Sequence, residues 1–247
     1  MAHAHPIPPP AASWRGQLGL AALMAWAAGF VDAFGYLFLA RVFTAHQSGN
    51  TARSGLFLSA GRWRHVAWYG WPIAMFVAGM LGGAAIMEHS RRNRYRGARL
   101  LLILEIVLLA GFLAAAAALT RGHVLDVRGG LRWAVVALPA LAMGLQTIAV
   151  TRVGDIPIAT TYFTGALNTF SEGTVQYLYS LRALDAAGRR AGHARLRHAF
   201  IAAGIWAAFF AGVIAGAAGK PAWGAKALLL PIAALAVVLA FSAFARE

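Results

Sequence analysis

The 247-residue chain has no cysteine and only eight acidic residues, and charged residues of both signs make up just 12% of it. The absence of cysteine excludes a disulfide-stapled scaffold. An apolar content of 60% excludes intrinsic disorder of the chain as a whole. Soluble domains average about 25% charged residues, so too little polar sequence is present to cover a water-facing surface. The composition predicts an all-α integral membrane protein.

Basic residues are the one charged class that is well represented. The 22 Lys and Arg residues give the chain a net charge of +14. In a soluble protein this excess would indicate nucleic-acid binding. Here most basic residues lie in loops between apolar segments, where orientation in the membrane explains them, and nucleic acid is excluded as a partner.

Six apolar segments are long enough for bilayer-spanning helices, which need about 20 residues each. They lie at roughly 18–40, 66–87, 100–119, 133–151, 199–219 and 224–243. We predict that residues 1–13 form a disordered tail and that residues 14–247 form a single polytopic membrane domain. Two further segments, Thr44 to Ala60 and Thr160 to Tyr179, have a helical pattern but are polar. We expect two short helices there, re-entrant or half-length, that protein shields from lipid.

The distribution of basic residues predicts an orientation. With six spans and a cytoplasmic N-terminus, thirteen of the 22 basic residues lie inside, and the two densest loops, 88–99 and 182–198, share that side. An eight-span arrangement separates these two loops. The positive-inside rule therefore favours six spans.

The two halves of the chain, about 18–119 and 133–243, repeat one order of span, polar helix, span and span. Thr44, Ser48 and Gly49 align with Thr160, Thr164 and Gly165 at an offset of 116, and the pairs Gly79/Gly83 and Gly212/Gly216 correspond at an offset of 133. Because each copy contains three spans, the second copy enters the membrane upside down. This pattern predicts two inverted three-span repeats.

Asp32 is the outstanding polar residue, because it lies within ~5 Å of the centre of the first span at 1.5 Å per residue. An aspartate there costs roughly 2.5–3.5 kcal/mol on insertion scales. Its carboxylate is either a proton or cation site, or a structural group that caps a helix break or pairs with an arginine such as Arg53. Both interpretations stay open at this stage.

Three other polar residues lie inside or beside the predicted spans. Gln146 occupies nearly the same place in the second repeat as Asp32 in the first, so the two side chains are expected to face one axis. Glu105 is either a second relay carboxylate or an interfacial residue, and His46 either titrates in a proton path or fills space with a hydrogen bond.

Two small polar corners precede or begin the short helices. The first is Ser48, Gly49, Asn50 and Thr51, and the second contains Thr160, Thr164 and Gly165. A half-helix that begins at such a corner aims its positive end into the membrane, which suits an anion or a carboxylate. The alternative is that the glycines allow close packing and the hydroxyls bind local carbonyls.

Catalytic signatures are missing from the sequence. We find no phosphate-binding glycine loop, no nucleophile elbow and no metal-ligand spacing among the histidines. The sequence therefore predicts a protein that is not an enzyme and that holds no cofactor or metal.

Four motifs in order resemble the YoaK-like family of bacterial membrane proteins, known as a domain of unknown function. They are Gly29 to Ala33, Ser48 to Thr51, Ala142 to Thr147 and Thr160 to Gly165. Ser48 stands where the family usually has Thr, and Thr147 where Asn is more common. The resemblance implies about six spans in the bacterial inner membrane, and it implies no substrate.

The leading functional hypothesis is a small secondary transporter or channel with a polar site near the bilayer midplane. Its pathway residues would be Asp32, Ser48, Gly49, Asn50, Thr51, Gln146, Thr160, Thr164 and Gly165, with His46 and Glu105 as proton relays. The alternative is a non-transporting membrane scaffold that binds lipid or a partner. The expected partners are the bilayer and a small-molecule or ion substrate, with self-association left open.

Overall fold

The computed structural model describes residues 14–93, 95–119, 130–149, 152–153, 156–157, 163–182 and 185–242. The described helices are α1 (Trp14–Phe38), α2 (Gln47–Ser59), α3 (Trp63–Asn93), α4 (Gly97–Leu119), α5 (Leu131–Ala149), α6 (Phe163–Ser180), α7 (Ala186–Trp223) and α8 (Leu229–Ser242). Strands β1 (Arg152–Val153) and β2 (Ile156–Pro157) form a two-residue antiparallel pair. The architecture is helical, as predicted, and the predicted tail 1–13 lies outside the described residues.

Five stretches of the described chain are long and apolar enough to cross a membrane. Four of them fall on α1, α3, α4 and α5, and the fifth is the 55-residue stretch Ala187–Phe241. A straight helix of that length would measure roughly 82 Å, against about 30 Å for the hydrocarbon core. A 3-10 turn, Gly224–Leu228, divides this stretch into α7 and α8, and Gly224 has a φ of 55° there. The chain is thus built as a multi-pass membrane protein.

The two short polar helices each form a hairpin with the helix that follows. On α2, the ring of Phe57 stacks on His65 and Tyr69 of α3, with centroids 4.6 and 5.5 Å apart. On α6, Tyr177 contacts His193 of α7 at 5.4 Å. Both helices begin three residues later than the sequence pattern predicts, and for α2 the reason is that Thr44, Ala45 and His46 belong to the preceding loop.

The expectation that protein shields both polar helices fails for α6 and is met on α2 only at Asn50, since Ser48 and Thr51 are exposed. Asn50 of α2 is fully buried, whereas Asn168, Glu172 and Gln176 of α6 are exposed on the single chain. The reason is that α6 packs on α7 along one narrow stripe, where a Cβ on Gly173 would lie 2.9 Å from the backbone oxygen of Arg195. The remaining faces of α6 have no such neighbour among the described helices.

Helix α1 packs most extensively against α7, and the crossing has a glycine on each side. A Cβ on Gly29 would meet the carbonyl oxygen of Phe209, and a Cβ on Gly212 would meet that of Trp26. Each glycine therefore faces the carbonyl three residues before its partner glycine. The backbones of the two helices touch directly, as small residues allow between membrane helices.

Helices α3 and α5 cross in the same manner. A Cβ on Gly144 would meet the carbonyl oxygen of Phe76, and a Cβ on Gly79 would meet that of Leu141. The spacing of three residues is the same as at the crossing of α1 and α7. Two helix pairs that lie far apart in the sequence thus share one contact geometry.

We predict that Gly79→Ala destabilises the protein by about 1–3 kcal/mol, the usual cost of overpacking. The added methyl group collides with the backbone of α5, which cannot turn aside as a side chain can. The matched control is Gly82→Ala on the same helix, where nothing lies within 4 Å of the new Cβ. Thermal melting in detergent measures both variants, and equal melting temperatures would contradict the close crossing.

Candidate functional site

The carboxylate of Asp32 is 3% exposed and faces the loop between α1 and α2. Its Oδ1 accepts hydrogen bonds from the backbone N–H groups of Thr44 and Ala45, both at 2.7 Å, and of His46 at 3.3 Å. The hydroxyl of Thr44 donates a fourth bond at 3.3 Å. His46 immediately precedes α2, so the carboxylate lies at the positive end of that helix and balances its dipole.

Asn50, in the first turn of α2, binds the same loop from the other side. Its Oδ1 accepts a hydrogen bond from the N–H of Phe43, and its Nδ2 donates to the carbonyl of Phe43 and to Oε1 of Gln47. The Nε2 of Gln47 in turn donates to the carbonyl of Thr44 at 2.8 Å. Side chains from two helices therefore satisfy the backbone polar groups of a buried loop, as burial requires.

The guanidinium of Arg53 fixes the beginning of this loop. It donates to the carbonyl of Arg41 at 2.9 Å and to the hydroxyls of Tyr36 and Tyr69. Ala40 and Arg41 have φ angles of 50° and 70°, a left-handed conformation that non-glycine residues rarely adopt. Arg53 thus stabilises a strained corner, and it is not the partner of Asp32 that the sequence had suggested as one alternative.

The predicted pathway residues of the first corner face different surroundings. Ser48 and Thr51 are exposed; Ser48 Oγ lies 3.3 Å from Nε2 of His46, and Thr51 Oγ1 donates to the carbonyl of Gln47. A Cβ on Gly49 would lie 2.9 Å from the rings of Phe43 and His46. Gly49 therefore allows close packing, and the N–H groups of Thr44, Ala45 and His46, which precede α2, are already bound to Asp32 and are not open to an anion.

The second corner is described only in part. Thr160 lies outside the described residues. Thr164 is exposed in the first turn of α6, and Gly165 beside it is half-buried.

Gln146 is fully buried and links α5 to α1, because its Nε2 donates to the carbonyl of Met24 at 2.8 Å. Met24 precedes Asp32 by eight residues, which is about 12 Å along a helix. The side chains of Gln146 and Asp32 thus act at different levels of α1, and the structure does not bring them to one site.

Glu105 is a second buried carboxylate, of a different kind. It is fully buried on the face of α4 that carries Leu102 and Leu109, and neither carboxylate oxygen has a hydrogen-bond partner. The interfacial interpretation of Glu105 is wrong, because this face of α4 turns inward against α5 and α8. Depth along a helix does not reveal which of its faces turns inward.

Sequence reasoning did not include Thr44, Gln47 and Arg53 in the site, although they complete it. Gln47 precedes Asn50 by three residues, the spacing at which side chains meet on one helix face. That spacing was a usable signal for Gln47. Arg53 had no comparable signal, since its tyrosine partners come from α1 and α3.

One protein-family model matches most of the chain. The model of the family described as "Protein of unknown function (DUF1275)" matches residues 20–241. The chain belongs to this family. The match includes Asp32, Asn50 and Gln146, so the described site lies within the DUF1275 region.

The chain is also similar to a curated protein that is named a transmembrane protein. The DUF1275 chain is 29% identical over 167 residues to the UPF0700 transmembrane protein YoaK of Bacillus subtilis (strain 168), a match that covers 66% of this chain and 68% of that protein. No solved structure matches the chain. Within the described residues, no group of three His, Cys, Asp or Glu side chains is placed to hold a metal ion.

We predict that Asp32→Ala lowers the free energy of unfolding by about 2–5 kcal/mol, because the buried N–H groups of Thr44 and Ala45 lose their acceptor at about 1–3 kcal/mol each. Asp32→Asn keeps one acceptor oxygen and should lose less. The control is Asp185→Asn at the exposed N-cap of α7, where the two residue types are nearly equivalent. Thermal melting in detergent measures the variants. If Asp185→Asn lowers the melting temperature as much as Asp32→Ala does, the structural role of Asp32 is contradicted.

We predict the opposite sign for Glu105→Met. The substitution replaces a buried carboxyl group that lacks partners with an apolar side chain of similar volume, so the melting temperature should rise. Glu105→Ala serves as the comparison, since it removes the carboxyl but also leaves a cavity. A large loss of stability in Glu105→Met would show that the carboxylate has a structural partner.

Proposed function

We propose that the protein is a small secondary transporter of the bacterial inner membrane, with six spans, a cytoplasmic N-terminus and two inverted three-span repeats. The observation that carries the proposal is the matched pair of crossings, Gly29 with Gly212 and Gly79 with Gly144, each next to a hairpin that contains a short polar helix. Inverted repeats and interrupted helices are typical of secondary transporters.

Asp32 supplies the switch in this proposal. Its carboxylate holds the loop ahead of α2 closed while it is ionised. Neutralisation by a proton or a cation weakens the bonds to the N–H groups of Thr44, Ala45 and His46, since hydrogen bonds to a charged acceptor are roughly twice as strong as neutral ones. The loop and the start of α2 then move, and the surroundings of Ser48 change with them.

The scaffold hypothesis has an observation of its own. Asp32 is buried and bonded to backbone groups of the loop before α2, and Phe30, Phe34 and Phe112 belong to one buried hydrophobic cluster. A carboxylate that serves only as a cap would give the same contacts. The experiment must therefore detect movement rather than contacts.

The absence of native cysteine makes that experiment direct. Single cysteines replace Ser48 and Thr164, in the first turns of α2 and α6, and a membrane-impermeant maleimide is applied from each side of sealed vesicles. Ser59→Cys and Tyr179→Cys, at the far ends of the same two helices, are the controls. For inverted repeats, we expect the two control positions to react from opposite sides of the membrane.

Asp32→Asn should then change the labelling of Ser48→Cys and of Thr164→Cys several-fold in opposite directions, with no change at the controls. This reciprocal change distinguishes alternating access from local unfolding, which would raise the first rate alone. Labelling at neither Ser48→Cys nor Thr164→Cys, in both backgrounds, would favour the scaffold and reject the transporter.

A further inference from the structure

A cavity of about 580 Å³ opens where α1 ends and α3 and α5 begin. Its volume falls within the range of about 300–1,000 Å³ that is common for small-molecule sites. The side chains that line it are Phe38, Leu39, Ala40, Arg64, His65, Trp68, Tyr69, Arg132 and Val135. Its lining includes neither Asp32 nor the backbone groups that Asp32 binds, so the proposed transport mechanism does not use it.

The polar part of the lining is entirely basic or neutral. Arg64 and Arg132 each carry a positive charge, His65 lies beside Arg64, and the lining residues include neither Asp nor Glu. Arg64, His65 and Arg132 also belong to the first turns of α3 and α5, where helix dipoles add positive potential. The electrostatics of the cavity therefore favour an anion.

Arg132 is already oriented for binding. Its guanidinium lies 5.3 Å from the ring centroid of Trp68 and 5.2 Å from that of Trp133. Trp133 is itself held through its carbonyl, which accepts a hydrogen bond from Nε1 of Trp71 at 2.8 Å. The Nε atom of Arg132 is buried and has no hydrogen-bond partner. Because that atom has almost no accessible surface, a ligand in the cavity would bind the terminal nitrogens of the guanidinium, which the two rings hold in place.

The remaining walls are apolar. Phe38, Leu39 and Val135 are buried, and Trp68 and Tyr69 add aromatic surface. A fully polar anion such as inorganic phosphate would leave these walls unused. The cavity thus suits a molecule with an anionic group at one end and an apolar body at the other.

We propose that this cavity binds an amphipathic phosphate ester, with the phosphate on Arg132 and Arg64 and the apolar body on the aromatic wall. Arginine suits this role, since its planar fork matches phosphate oxygens. A lipid headgroup and a free alkyl phosphate share this chemistry, and the experiment separates the two sources.

Binding is measured on the full chain in phosphatidylcholine nanodiscs. One arm titrates dodecyl phosphate with inorganic phosphate as the comparison, and the other replaces part of the lipid with phosphatidylglycerol and counts retained lipids by native mass spectrometry. We expect dodecyl phosphate to bind and inorganic phosphate to bind at least about tenfold more weakly, the equivalent of losing one strong contact. Retention of phosphatidylglycerol over phosphatidylcholine would identify the lipid as a natural source.

The variants assign binding to the cavity. Arg132→Gln should weaken dodecyl phosphate binding by about tenfold or more, and Arg132→Lys should recover only part of it, because lysine lacks the fork. Arg91→Gln removes an equal charge from an exposed side chain on α3, outside the cavity, and should bind as the parent does. If Arg132→Gln does not fold, Arg64→Gln on the exposed rim tests the same charge.

Equal affinities for the parent, Arg132→Gln and Arg64→Gln would overturn the proposal. So would equal binding of inorganic and dodecyl phosphate, since the apolar wall would then contribute nothing. Neither result depends on whether the protein transports, so the proposed function and this site fail or succeed separately.

Discussion

The bonds from the N–H groups of Thr44, Ala45 and His46 to one oxygen of Asp32 decide how the first half of the molecule is built. Without an acceptor in this place, the loop that joins a full-length helix to a half-length one would bury backbone donors in apolar surroundings, at about 1–3 kcal/mol for each. With the acceptor present, α2 can begin inside the protein, and α3 can return along it. The aspartate that is so costly at the centre of a span therefore makes an interrupted helix possible.

This constraint also explains why the surrounding residues are polar. Asn50, Gln47 and Arg53 each satisfy backbone groups of the same loop that the carboxylate cannot reach. Three side chains of α2 thus bind the loop that precedes their own helix. These contacts distinguish α2 from α6, because the polar side chains of α6 are exposed on a single chain.

The sequence predicted helix positions well and side-chain partners poorly, for one physical reason. Apolar length and periodicity locate the ends of α1, α3, α4 and α5 to within six residues, and polar composition separates α2 and α6 from them. Depth along a helix is a local property of the sequence, whereas the direction a side chain faces depends on how the helices pack. The sequence thus left Glu105 open between a relay carboxylate and an interfacial residue, and it paired Gln146 with Asp32, although Gln146 binds the carbonyl of Met24 about two turns away.

The two glycine crossings share their backbone contacts, but different polar side chains follow the glycines Gly29 and Gly144. Three residues after Gly29 stands Asp32, which reaches across to the loop before α2. Three residues after Gly144 stands Thr147, whose hydroxyl donates to the carbonyl of Met143 in its own helix. The shared backbone contacts demand only small residues, so packing can repeat while the polar side chains diverge. Of these two positions, only that of Asp32 carries a carboxylate, which makes the loop before α2 sensitive to charge. Any movement that depends on this carboxylate must therefore begin in the first half of the chain.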